Sequence, residues 1–375
     1  MKDIKNLINI GTGDIIGNAS SAIFWFYLAI LISPSSFGEL HYFISVAGIL
    51  AHCVLIGTHN TITVYVAKKV PIQSTFSFIS LIGLVFGFII LFLIFQRIDL
   101  GFLAFGYVMS ILVMGGFLGK REYKNYMKYI LTQKFLTPIL GLSFFFILGV
   151  DYILIGLALS YLPYLIVIIK DFRDIKIDFS LLRLRKQFII NNYLMVLSGV
   201  VHGQIDKIIL MPLLGAMLLG NYSLSLQIIN VMMITTHVIY KYMLSQEASG
   251  KDIRSVKRLS IFTGIGLTCV GFFIVPSVLP MIFPEYTESV DAIRMMSLSI
   301  LPLSFVKIYT SKFLALEKSK VLLIVTIVST LVFVPTIILF GIWYGVLGIA
   351  AAFVLSSIVQ VLCFFIADKK LEKLI

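Results

Sequence analysis

Residues Gln204 to Gln227 read QIDKIILMPLLGAMLLGNYSLSLQ, an acid and a base, Asp206 and Lys207, inside a run otherwise apolar enough to lie in lipid. Ionisable side chains at membrane depth cost several kcal/mol unless they face a partner or a watery cavity, so each marks a functional site or a structural pair. Successive residues project about 100° apart on a helix, so these two need not pair with each other. Asp206 either holds a cation on another helix or contacts a coupling ion or substrate. The solvent around this stretch decides its meaning.

Composition identifies that solvent. Of 375 residues, 59% are hydrophobic and 13% charged, and the mean hydropathy is +1.03; so few charges cannot cover a soluble globule of this length. The start, MKDIKNLINI, is basic, but its apolar continuation is too long for a signal-peptide core and shows no small-residue cleavage site, so it reads as a retained helix. Cys53, Cys269 and Cys363 stand apart without CxxC spacing and read as packing residues.

A spanning helix needs about 20 apolar residues. About twelve such stretches fall at 9–32, 39–65, 74–95, 100–119, 127–149, 151–170, 188–212, 218–242, 259–283, 288–312, 319–341 and 343–367. Lys and Arg collect in alternate connections, at Lys68 and Lys69, Lys120 to Lys128, Lys170 to Lys186, Lys251 to Arg258, and Lys318 and Lys320. The positive-inside rule makes those connections and both termini cytoplasmic, in a multi-pass membrane protein. The net charge of +12 is then an orientation signal with some attraction to membrane lipid, and not a sign of nucleic-acid binding.

Connections on the other face are short, with no room for a catalytic domain. The longest connection, Asp171 to Lys186, is charged and amphipathic and reads as a linker lying on the membrane surface. It joins two halves that repeat: Asn9, Gly17 and Gly38 recur as Asn191, Gly199 and Gly220, each 182 residues later. Six spans per repeat leave the second copy in the same orientation, with a substrate path between parallel bundles. The expected domains are 1–175 and 176–375, each a six-helix lobe.

The stretch IDKIILMPLLGAMLLGNYSLSLQI, with Asp206, Gly220 and Tyr222, resembles the seventh-to-eighth span signature of the polysaccharide and O-antigen flippases, which carry lipid-linked oligosaccharides within the multidrug, oligosaccharidyl-lipid and polysaccharide exporter superfamily. SPSSFGEL resembles the first external turn of that family, LALEKSK the connection after the tenth span, and GVLGIAAAFVLSS its small-residue twelfth span. The chain departs from the pattern at Phe283-Pro284-Glu285-Tyr286, where the family often has Gly in place of Pro, and it lacks the extra pair of spans of some members. The resemblance implies an all-α, polytopic, V-shaped transporter that moves a polyprenyl-phosphate- or diphosphate-linked glycan from the cytoplasmic to the outer leaflet. It also makes glycan-assembly enzymes candidate partners.

Such a substrate needs a hydrated, basic cavity for its head. Ser198, His202 and Asp206 share one face of the seventh span, with Asn191 and Asn192 nearer the cytoplasm, and Gln227, Asn230, His237 and Lys241 lie near one stripe of the eighth. The first span has Asp14, Asn18 and Ser21 at i, i+4 and i+7, and these three helices are read as sharing a polar interior. Arg294 and Lys307 add cations to the tenth span, about 20 Å apart along a straight helix. The candidate substrate contacts are therefore Lys307, Arg294, Asn230, Gln227, His202 and Asn18. Asp206, Asp14 and His237 are candidates for ion coupling or for structural polar contacts, the histidines because they titrate near neutrality. Lys312 is read as snorkelling to headgroups. Pro138, Pro163, Pro276, Pro302 and Pro335 lie within spans, and bending at Pro302 would alter how Arg294 and Lys307 face a cavity.

GGFLGKRE at 115–122 is not a phosphate loop, because Met114 stands where Gly is required and Arg121 where Ser or Thr reaches magnesium. No catalytic residues, metal or cofactor are expected, and an ion gradient, membrane potential or product consumption would drive transport. A multidrug or organic-ion antiporter of the same superfamily is the alternative; its cavity would be dominated by acids, whereas bases outnumber acids here.

Overall fold

The structure, a computed structural model, describes residues 2–55, 59–70, 72–171, 177–248, 253–316 and 318–372. Among them every regular element is helical. The helices are α1 (Lys2–Leu31), α2 (Pro34–Val54), α3 (His59–Ala67), α4 (Gln73–Phe95), α5 (Asp99–Gly119), α6 (Tyr123–Leu148), α7 (Ile153–Leu159) and α8 (Leu162–Asp171). They continue as α9 (Phe179–Leu184), α10 (Lys186–Leu214), α11 (Ala216–Met232), α12 (Ile234–Ala248), α13 (Arg254–Cys269), α14 (Val275–Ile282), α15 (Ser289–Ser297), α16 (Ile300–Ala315) and α17 (Ser319–Glu372). In lipid each backbone donor and acceptor must be satisfied within its own segment, which is why apolar stretches of this length become helices.

Among the described residues, eight helical segments are long and apolar enough to cross a membrane, ten if each bent pair counts as one span. The bent pairs are α11 with α12, at 46°, and α15 with α16, at 43°. The second bend lies one turn before Pro302, which has no N–H to give the carbonyl of Leu298. A five-residue π-turn, Val270–Ile274, stands before Pro276. The 54 residues of α17 fold back at Gly345, whose φ of 59° and ψ of −138° exclude a side chain. The two arms are antiparallel, since Phe333 meets Phe353 at 6.3 Å between ring centroids and Gln360 Nε2 donates to Ser329 Oγ at 3.1 Å.

The chain divides into two compact units, Met1–Leu28 with Phe43–Gln204, and Ala29–Tyr42 with Ile205–Ile375. In the first, α5 is the central helix, packed against α3, α4 and α7. Gly115 and Gly119 give α3 a close seat, because a Cβ on either would crowd Ile62 or Val66. At one end of this unit Arg97 forks onto Asp99, with Nη2 to Oδ2 at 2.7 Å, donates to the Asp151 carbonyl at 3.0 Å and stacks on Phe43. The one base in the connections the charge rule puts outside is thus neutralised locally.

In the second unit the 182-residue repeat is visible as geometry. The chain breaks between α1 and α2 just before Pro34 and between α10 and α11 just before Ala216, 182 residues apart. The starts of α4 and α13, and the ends of α3 and α12, repeat at 181. Gly38 and Gly220 are each the fifth residue of their helices. They serve backbone approach. A Cβ on Gly38 would collide with the carbonyl oxygen of Ala216, and one on Gly220 with that of Pro34. Pro34 and Ala216 are themselves repeat mates, so the contact is reciprocal about a local two-fold axis.

Around this contact the core contains Leu210, Leu219, Tyr222, Ile229, Met296 and Ile349. The turn after α14 closes over it: the Tyr286 hydroxyl donates to the Ile32 carbonyl at 3.3 Å, and its ring lies edge-on to Phe37. Burial, then the neighbouring Glu285 charge, hold that phenol protonated above its ordinary range, so it remains a donor.

Candidate functional site

Asp206 lies on α10, nine residues before the break at Gly215, and Tyr222 on α11, seven residues after it. Folding the hairpin at that glycine brings the two together. The Tyr222 hydroxyl donates to Asp206 Oδ2 at 2.7 Å, with the tyrosine fully buried. Lys207 Nζ reaches Asp206 Oδ1 at 3.2 Å and Oδ2 at 3.4 Å. The acid and base do pair, although they project about 100° apart on the helix, because the flexible lysine stem spans the gap between their directions. The side chains are 6% and 13% exposed, and the carboxylate also accepts from the Lys207 amide at 2.8 Å. His41, two turns into α2, is within electrostatic reach of Lys207. Beside Tyr222, Asn221 ties α11 to α15, its Oδ1 accepting from Ser289 Oγ at 2.9 Å.

A second cluster lies on α12 and α16. Lys307 Nζ sits over the ring of Tyr240 at 5.3 Å, close enough for its charge to act on His237, whose Nδ1 is 3.0 Å from the Met233 carbonyl. Lys241 also acts on that histidine. Lys307 is half-buried, and among the described residues no carboxylate pairs with it. The buried acids of this unit are otherwise engaged. Glu247 accepts from Lys257 at 3.1 Å and from Ser311 at 2.7 Å, and Asp368 pairs with Lys312. Lys312 is therefore held by a carboxylate of the last helix, a partner the snorkelling expectation did not include.

The other expected residues are distributed as follows. Arg294 pairs with Asp291 one turn away at 3.1 Å, both largely exposed, at 47% and 68%. The bend between α15 and α16 lies between it and Lys307. Gln227 is half-buried and Asn230 exposed, both on α11. His202, half-buried, and Asn18, exposed, belong to the first unit with Ser198. The side chain of Asp14 lies outside the described residues. Outside the expected set, Lys134 lays its stem across Gly17, and its carbonyl accepts from Ser20 at 3.3 Å.

Sequence reading missed two features. Tyr222 was legible as a motif residue but not as the partner of Asp206, although their near-equal distances from Gly215 contain that information. In the first unit His52 and His59 line a cavity of about 70 Å³ with Tyr193 and Ile111, and the Tyr193 hydroxyl donates to the Cys53 carbonyl at 2.8 Å. No spacing rule links residues 52 and 193. Among the described residues no group of three or more His, Cys, Asp or Glu is placed to hold a metal ion.

No family model matches the sequence, and no curated protein matches it. Solved structures do match in fold. An inward-facing multidrug resistance MATE family transporter of the MOP superfamily aligns with a TM-score of 0.74 at 14% identity, covering 98% of each chain. The lipid II flippase MurJ, in its inward closed conformation, aligns with 0.69 at 13% identity over 96% of this chain and 87% of that one. The MATE multidrug transporter DinF-BH aligns with 0.66 at 15% identity, over 96% and 93%. Apolar helices, repeat geometry and these alignments agree that the chain has the multi-pass membrane fold shared by MATE transporters and the lipid II flippase.

Proposed function

We propose that the protein is a transporter, not an enzyme, that flips a lipid-linked oligosaccharide across the plasma membrane by alternating access. Counting α1, the bent pairs and both arms of α17 as spans gives twelve, arranged in this reading as six-helix lobes 1–175 and 176–375 with cytoplasmic termini. The observation that carries the choice of substrate is the charge balance of the second unit: among the described residues each buried acid is matched by a base, while no carboxylate pairs with Lys307. A half-buried unmatched cation favours an anionic ligand, such as a phosphate or diphosphate headgroup. A multidrug exporter of organic cations would instead need an unmatched buried acid. In this reading Lys307 holds the phosphate, Gln227 and Asn230 contact the glycan, and His237 adjusts the local charge; Asn18, His202 and Arg294 are weaker candidates by their exposure and partners. Asp206, already neutralised by Lys207, is a structural contact and not the coupling site, and Asp14 remains the candidate for coupling.

The test is reconstitution. Proteoliposomes carrying a fluorescent lipid-linked oligosaccharide should show protein-dependent loss of the inner-leaflet signal; export of cationic dyes with no lipid flipping would replace this reading with the antiporter one.

A further inference from the structure

Arg185 joins α9 to α10, and its surroundings are unlike those of the other interior bases. Its guanidinium stacks on the buried ring of Tyr65, with Cζ 5.3 Å from the centroid. Among the described residues, Nη1 is buried with no hydrogen-bond partner and no carboxylate pairs with the group. The nearest described acid in sequence, Asp178, caps α9, accepting from the Ser180 amide at 2.8 Å. A guanidinium carries five N–H donors and no acceptor of its own. An aromatic face offsets part of the cost of holding it there but supplies no acceptor for its N–H groups.

The platform is fixed. The Asp178 amide donates to Thr75 Oγ1 at 3.0 Å, and Phe179 meets Phe78 edge-on, which anchors α9 to the start of α4. More positive charge surrounds it. Lys68 and Lys69 follow Tyr65 by one turn, and Lys120 and Arg121 follow Gly119, where α5 abuts Val66 of α3. Arg183 and Lys186 flank the arginine, and all six of these side chains are exposed. This is the end of the first unit that the charge rule assigns to the inner membrane face.

We propose that Arg185 is the centre of a binding site for the phosphate group of a membrane lipid. The planar fork donates to two phosphate oxygens, Tyr65 holds its plane, and the exposed lysines add long-range attraction. Phe179, 55% exposed, adds an apolar side chain to the neighbouring surface that an acyl chain could cover. The same chemistry fits a phospholipid headgroup or the phosphate of a polyprenyl carrier. The site stands whichever substrate the transporter carries.

Native mass spectrometry of the full-length protein, released from detergent after incubation with phosphatidylglycerol or with polyprenyl phosphate, distinguishes the sources. The wild-type protein should retain at least one phosphate lipid in preference to equimolar diacylglycerol, which has no phosphate. Arg185→Gln should lower that retention about tenfold, and Arg183→Gln less than twofold. Preferential retention of phosphatidylglycerol assigns a phospholipid site, preferential retention of polyprenyl phosphate a carrier site, and equal retention a general phosphate site. Retention by Arg185→Gln equal to wild type, or no retention of either lipid by wild type, overturns the proposal. If Arg185→Gln aggregates, Arg185→Lys carries the test, since it keeps the charge and loses the fork; retention should fall several-fold, and an unchanged value overturns the site.

Discussion

Asp206 and Lys307 are both ionisable residues in the second unit, and the protein treats them in opposite ways. Asp206 is enclosed by Lys207, Tyr222 and a backbone amide, so the charge is matched where it sits. Lys307 has an aromatic face and a neighbouring histidine and lysine for company. A buried charge surrounded by its own partners is part of the scaffold; one without a partner is held ready for something else. The charged hairpin from Gln204 to Gln227 is therefore scaffold in this account, and α16 is where substrate chemistry is sought.

The comparison breaks most visibly through Asp206→Ala. Removing one member of a buried pair leaves Lys207 uncompensated, and a loss of about 3–5 kcal/mol is expected, read as a lower unfolding temperature in detergent and reduced abundance. Tyr222→Phe removes one hydrogen bond to a charged acceptor and should cost about 1.5–3 kcal/mol in the same measurement. If both variants are as stable as wild type while transport collapses, Asp206 belongs to the transport cycle and the contrast fails. Lys307→Met should shift stability the other way, by about 1 kcal/mol upward, because it replaces an unmatched half-buried charge with an apolar side chain of similar length. Arg294→Ala, at an exposed pair, should leave the unfolding temperature within error.

Much of the fold is legible in the sequence, because bilayer thickness and backbone satisfaction translate directly into run lengths. Hydropathy puts the last span boundary near residue 342, and the fold-back occurs at Gly345; α4, expected from 74, begins at Gln73. The repeat is visible at Gly38 and Gly220, though their purpose is not. Hydropathy finds a turn near each glycine but cannot show that two backbones, 182 residues apart, approach too closely for a Cβ. The site is less legible for a related reason. Helical angles separate Asp206 from Lys207, whereas side-chain reach reunites them. Pro302 announces a bend, but nothing in the spacing of Arg294 and Lys307 announces that Asp291 takes the arginine.

The most direct test of the anionic-substrate reading is flipping of a fluorescent lipid-linked oligosaccharide by Lys307→Gln in proteoliposomes, measured beside its unfolding temperature. The reading predicts a flipping rate lowered about tenfold, the loss of one charge-assisted contact of about 1.4 kcal/mol, in a protein at least as stable as wild type. Unchanged flipping by a stable Lys307→Gln protein would contradict it.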